Sequence, residues 1–161
     1  MKLLKPTKII SKLENIDINY LKEKNYKLII LDYNNTIIGY YNHEITNSMK
    51  NYIKKLKENN IKLYILTNSF NKNEVDKVAK LLNIKYKNVA FKPFPFTLKR
   101  ILKNEKISSK NTLIIGDHIL TDVLLANLCK TSSILVEPID NNEKFHSKII
   151  RKIEKIIISR F

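Results

Sequence analysis

Short runs of aliphatic and β-branched residues, each closed by a polar residue, alternate with amphipathic stretches along almost the whole chain. The runs lie at 27–33, 61–66, 88–91, 112–115 and 132–136. They lack the period-two alternation of a half-solvated sheet, so they read as strands buried on both faces. Between them the apolar positions change to helical spacing. Met49, Ile53 and Leu56 share one face of a predicted helix over 46–59, and Val75, Val78, Ala79 and Leu82 share one face of another over 73–82. Helices are also predicted over 96–103 and 120–128, and Thr46 and Asn73 are the expected N-caps of the first two. Strands and helices that alternate through short connections dictate a doubly wound parallel sheet, a Rossmann-like three-layer α/β/α fold. With 161 residues and no internal repeat or linker, residues 1–161 are expected to form one domain.

In such a sheet, ligands gather beyond the carboxyl ends of the strands, where the strand order reverses. Asp32, Thr67, Lys92 and Asp117 each close one of the predicted strands. A lone charged residue there is ordinarily the first solvated position, but four of compatible chemistry describe a phosphate-handling site. A carboxylate at Asp32 can attack phosphorus and form an acyl phosphate, which splits one difficult displacement into two easier ones. Asp117 can hold Mg²⁺ jointly with Asp32, because a hard cation prefers oxygen ligands and offsets repulsion between nucleophile and phosphate. The Thr67 hydroxyl can donate to a phosphoryl oxygen, and the Lys92 ammonium can neutralise charge on the transferring group. Gly116, one of two glycines in the chain, signals a tight turn or a close approach just before Asp117.

The motifs Leu31-Asp32-x-x-Asn35-Thr36, Thr67-Asn68, Lys92-Pro93 and Gly116-Asp117-x-x-x-Thr121-Asp122, with Leu3-Leu4-Lys5-Pro6 at the start, run over nearly the whole chain. In this order they resemble the haloacid dehalogenase (HAD) superfamily, specifically its capless class IIIA phosphatases of the YqeG type, which are phosphatidylglycerophosphatase-like. The resemblance implies that Asp32 is the nucleophile and that Mg²⁺ lies among Asp32, Asp117 and the main-chain carbonyl of Asn34, supported by Asp122. It implies that Thr67, Asn68 and Lys92 bind substrate. One position departs from the pattern. The superfamily carries a second aspartate two places after the nucleophile, as general acid and then base, and here that position is Asn34. An amide exchanges no proton near neutral pH. Slow turnover is therefore expected, and His118 is a candidate substitute proton carrier.

Short connections at 39–46 and 100–110 leave no room for the lids of larger relatives, so an open site suited to a phosphate on a large carrier is expected. The resemblance points to phosphatidylglycerophosphate, and to a lid supplied by a neighbouring subunit in a homo-oligomer. The formal charge of +15 and sequence pI near 9.8 favour anionic partners, although the lysines are spread evenly. Lys2 to Ile10 mixes lysines with aliphatics, and 147–161 reads as a basic amphipathic helix whose isoleucines are expected to cover the sheet while its cations face anionic lipid. No apolar run reaches about 18 residues, no signal-peptide pattern is present and Cys129 is a lone cysteine, so a cytoplasmic protein in peripheral contact with the inner membrane surface is expected. A catalytically impaired binder of phosphorylated lipid, protein or RNA is the alternative that Asn34 keeps open. Nucleic acid is the less favoured partner, since no aromatic-rich strand motif or zinc ligand set is present. Chain order argues against a two-component receiver, whose lysine follows the last strand, whereas Lys92 precedes Asp117.

Overall fold

The computed structural model describes residues 2–41, 44–140 and 145–159. Six parallel strands form one sheet in the order β1-β6-β5-β2-β3-β4, with β1 at Lys8–Ile10, β2 at Leu28–Leu31, β3 at Lys62–Leu66, β4 at Lys85–Lys87, β5 at Thr112–Gly116 and β6 at Ser132–Val136. The helices are α1 (Ile18–Glu23), α2 (Asn47–Glu58), α3 (Lys72–Leu82), α4 (Phe96–Glu105), α5 (Leu124–Leu128) and α6 (Phe145–Ile158). The strand order reverses at β2: the chain travels outward through β3 and β4, then returns to β5 on the other side. The crevice expected of a doubly wound sheet therefore opens over β2 and β5. Among the described residues no separate cap domain is present.

Side-chain alternation along the strands produces the layers. Ile29, Leu31, Leu113 and Ile115 point into a large core shared with Met49, Ile53 and Leu56 of α2 and Val75, Val78, Ala79 and Leu82 of α3. Leu28, Ile30 and Ile114 point the other way, against Leu98, Ile101 and Leu102 of α4 and Leu125 and Ala126 of α5. Residues 28–31 are all buried, which is why the run carries no alternation in sequence. Cys129 is buried in the second layer, where it behaves as a small apolar residue.

Three element predictions need correction. The run at 88–91 is not a strand: β4 is the more polar Lys85–Lys87, an edge strand whose burial demands little of its side chains. Lys8–Ile10, assigned to no strand from sequence, is the opposite edge strand, paired in register with Ile134, Leu135 and Val136. The N-cap of α3 is Asn71, which accepts from the Glu74 amide, whereas Thr46 caps α2 as expected by accepting from the Met49 amide at 3.1 Å. Asparagines also replace glycine where the chain needs left-handed backbone: Asn25, Asn60 and Asn83 have φ of 55°, 58° and 50°. The polar bias of the composition thus serves the helix ends in a chain with two glycines.

Candidate active site

Asp32 is the first residue beyond β2, and its amide donates to the Ile115 carbonyl at 2.9 Å, which stitches the loop to the end of β5. Asp117 is the first residue beyond β5, so parallel pairing of adjacent strands brings the two carboxylates together. One oxygen each from Asp32, Asp117 and Asp122 lies within 4.8 Å of the others, and all three residues are buried. Asp122 arrives from the π-helical turn Ile119–Val123 and accepts from the His118 amide at 3.2 Å. Gly116 makes that approach possible. A Cβ at this position would lie 2.2 Å from Asp122 Oδ2, while no glycine has a positive φ, so space rather than backbone freedom is what Gly116 supplies.

Lys92 does not close a strand directly. It lies five residues beyond Lys87, in a loop held by reciprocal bonds with Asn68: the Lys92 amide donates to Asn68 Oδ1 at 2.8 Å, and Asn68 Nδ2 donates to the Lys92 carbonyl at 2.9 Å. The Asn68 amide thereby positions Lys92. The Lys92 ammonium is buried and donates to Asp32 Oδ1 at 2.7 Å and to Asp122 Oδ1 at 2.6 Å. Burial acts to lower its pKa, but the carboxylates of Asp122 and Asp32 outweigh it and hold the lysine above its usual range. Thr67 is buried, and its hydroxyl oxygen accepts from the Ser69 amide at 3.1 Å, which leaves the hydroxyl hydrogen for a ligand. Asn34 lies one residue before Asn35 (φ 58°), where the loop folds back so that the Asn35 amide donates to the Ile38 carbonyl at 2.6 Å.

The C-terminal helix contributes residues that the sequence did not identify. Arg151 donates to the Asp117 carbonyl at 2.5 Å and to the Asp117 carboxylate. Glu154 is 3% exposed; it contacts His118 Nδ1 at 3.1 Å and accepts from the Leu120 amide at 3.0 Å. Burial raises Asp117 to about 6, opposed by His118 and Arg151. For His118 burial acts downward, but the bond to Glu154 and the charge of Asp117 win and raise it to about 9. The helix is thus turned differently from the expectation. Arg151 and Glu154, three apart on one face, point at the site, whereas Ile149, Ile153 and Ile156 are 46%, 48% and 57% exposed. Ile157 and Ile158 do pack, on a small cluster of Ile119, Val123 and Leu135. The side chains at 145–148, and residues 160 and 161 of the predicted helix, lie outside the description.

Comparison with known proteins identifies this arrangement. A family model described as mitochondrial PGP phosphatase matches residues 1–140. The chain belongs to the PGP phosphatase family. It is also 30% identical over 158 residues to "Probable phosphatase YqeG" of Bacillus subtilis, covering 98% of this chain and 91% of that protein. Among solved structures, the cobalt-bound deoxy-D-mannose-octulosonate 8-phosphate phosphatase YrbI of Haemophilus influenzae matches with a TM-score of 0.57 at 14% identity, covering 86% of this chain and 90% of that one. An uncharacterized protein from Listeria monocytogenes serotype 4b reaches 0.60 at 15% identity over 74% and 85% of the two chains. The protein is a capless HAD phosphatase, a phosphoric monoester hydrolase.

The donor set fits a divalent cation. Three buried carboxylates supply hard oxygen ligands, and the burial that makes their mutual repulsion costly is what a bound dication would relieve. Lys92 and Arg151 already supply positive charge at the same carboxylates. Beside Asp117 and Arg151 a cleft of ≈ 820 Å³ opens to solvent between β6 and α6; its lining does not include Asp32, Thr67 or Lys92.

Proposed function

We propose that this phosphatase is Mg²⁺-dependent, works through an aspartyl phosphate on Asp32, and acts on phosphatidylglycerophosphate or another large phosphomonoester. The supporting observation is the meeting of Asp32, Asp117 and Asp122 within 4.8 Å, with the Lys92 ammonium bonded to two of them. Asp32, Asp117 and the main-chain carbonyl of Asn34 would hold the cation, with Asp122 beside them; when bound it neutralises charge on the phosphoryl oxygens.

The chain's own residues perform the remaining work. Lys92 and the Thr67 hydroxyl bind phosphoryl oxygens and orient phosphorus toward Asp32. A carboxylate oxygen of Asp32 forms the new P–O bond as the ester P–O bond breaks. The leaving alcohol takes its proton from water, because Asn34 has none to give. A second water then attacks phosphorus, giving up its proton to solvent, as the bond between the Asp32 oxygen and phosphorus breaks, which releases phosphate and restores the carboxylate. Without a positioned proton carrier, both steps are slower by on the order of 10² to 10⁴.

The reading assigns the protein to the cytoplasm, working at the inner membrane surface on a lipid-borne phosphate. Among the described residues no helix is long and apolar enough to cross a membrane. A second reading, motivated by Asn34, is an impaired member of the family that holds phosphorylated lipid without turning it over. Mg²⁺-dependent phosphate release from a panel of phospholipid, nucleotide and sugar phosphates separates the two. Activity that Asp32→Asn abolishes and Asn34→Asp raises supports the enzyme, and stoichiometric lipid binding without release supports the second reading.

A further inference from the structure

Deepening the phosphatase reading, on which it rests, we propose that the rim of the active site is a docking surface for an anionic lipid bilayer, formed by Phe70, Phe91, Phe94 and Phe96. These are four of the chain's six phenylalanines, and they are 82%, 63%, 62% and 77% exposed. None belongs to a core cluster. Single exposed apolar residues are unremarkable on a soluble surface, but four rings concentrated on two neighbouring loops and the first residue of α4 mark an interaction site.

Their position is fixed by the elements that build the site. Phe70 lies beyond the carboxyl end of β3 and the other three beyond that of β4, at the sheet edge where Asp32 and Asp117 stand. The two loops are bonded together: the Val89 amide donates to the Ser69 carbonyl at 3.2 Å, the Ala90 amide to the Thr67 carbonyl at 2.9 Å, and Asn68 grips the Lys92 main chain on both sides. The same loop buries Lys92 and exposes the phenylalanines on either side of it. Val89 and Phe91 are held at φ of 46° and 55°, a left-handed conformation that is unfavourable for any residue with a Cβ and more so for a β-branched one.

Charge selects the occupant. Between residues 86 and 104 there is no acidic residue, while Lys87, Lys99 and Arg100 are exposed. Lys72, also exposed, opens α3 just after Phe70. Aromatic rings that enter the headgroup boundary, on segments whose exposed charges include several cations able to meet anionic phosphates, match an anionic bilayer. Docking in this orientation delivers a headgroup phosphate to the crevice where Lys92 and Asp32 meet, without the lipid leaving the membrane.

The chain contains no tryptophan, so Phe94→Trp introduces a single reporter. With phosphatidylglycerol vesicles its emission should shift to the blue and be quenched by brominated acyl chains, and phosphatidylcholine vesicles should give neither effect at moderate salt. Replacing Phe94 and Phe96 with serine should lower the vesicle partition coefficient by on the order of tenfold or more, with the circular dichroism spectrum unchanged. Replacing Ile149 and Ile153 with serine should leave partition near that of the parent. The proposal is overturned if phosphatidylglycerol vesicles take up no protein, if only the isoleucine changes abolish uptake, or if the rings instead support a second copy of the chain, seen as a phenylalanine-dependent dimer in sedimentation without vesicle uptake. Vesicle uptake by protein that releases no phosphate from detergent-dispersed phosphatidylglycerophosphate or from the panel of phosphomonoesters would retain the docking surface and overturn the phosphatase reading; release without uptake would do the reverse.

Discussion

Gly116→Ala tests whether close approach, rather than backbone freedom, explains a glycine in the last position of β5. The added Cβ would lie 2.2 Å from Asp122 Oδ2, 2.3 Å from its Cγ and 2.7 Å from its Cβ. A flexible surface side chain could turn aside, but Asp122 is 1% exposed and is bonded to the Lys92 ammonium and the His118 amide. Moving it takes apart a buried ion pair, which costs about 3–5 kcal/mol when one partner is removed, whereas simple overpacking costs about 1–3 kcal/mol. The ion pair is the larger effect, so a loss of about 3–5 kcal/mol is expected. Urea unfolding reads it: with a slope of roughly 1–3 kcal/mol/M, the midpoint should fall by more than about 1 M at unchanged slope. The same change in an Asp122→Gly background, which removes the Cβ, Cγ and Oδ2 that the new Cβ would meet, should cost much less, and the difference is the coupling energy of the two sites. A midpoint within about 0.3 M of the parent, or an equal cost in both backgrounds, would refute the steric argument.

Asn34→Asp should raise the rate of phosphate release by on the order of 10² to 10⁴ with little change in KM, measured by steady-state kinetics, because it restores a proton carrier without altering metal ligation. Lys92→Met should destabilise the metal-free protein by about 3–5 kcal/mol in urea, since it leaves Asp32 and Asp122 buried without their cation; Asp122→Asn added to it should recover part of the loss. His118 has a folded pKa near 9 against an ordinary 6.5, so its contribution to stability is fully present below pH 6.5 and is lost as pH rises through about 9. The melting temperature of the metal-free protein should fall over that window relative to Glu154→Gln, in which the difference should largely disappear.

The central part of this structure was legible because buried parallel strands have a distinctive sequence. Residues 28–31 and 112–116 are fully buried and read as apolar runs, so the positions of Asp32 and Asp117 followed directly. The edge strands were obscure for the converse reason. Lys8–Ile10 and Lys85–Lys87 are short and half solvated, and their composition is set by water as much as by the sheet. Lys92 was assigned to the right crevice through the wrong element: the apolar run at 88–91 reflects loop packing, in which Ala90 is buried and Phe91 is not. The close-approach reading of Gly116 held, and its partner, Asp122, is the carboxylate whose supporting place was known only from resemblance.

The C-terminal helix shows the limit of periodicity. Its isoleucines recur at helical spacing and suggested a face turned to the sheet, yet the residues that reach the site are Arg151 and Glu154. A buried charge gives no signal in a hydrophobic pattern, and only its partners, Asp117 and His118, reveal why it is tolerated. The exposed phenylalanines were unreadable in the same way, since a ring in a loop has the same letter whether it fills a core or faces solvent.

The most direct test of the account is to trap the phosphoryl group. The protein is incubated with Mg²⁺ and substrate, the acyl phosphate is reduced with borohydride, and the digested chain is analysed by mass spectrometry. The account predicts conversion of Asp32 to homoserine, dependent on substrate and absent in Asp32→Asn. Modification at any other carboxylate, or phosphate release that persists in Asp32→Asn, would contradict it.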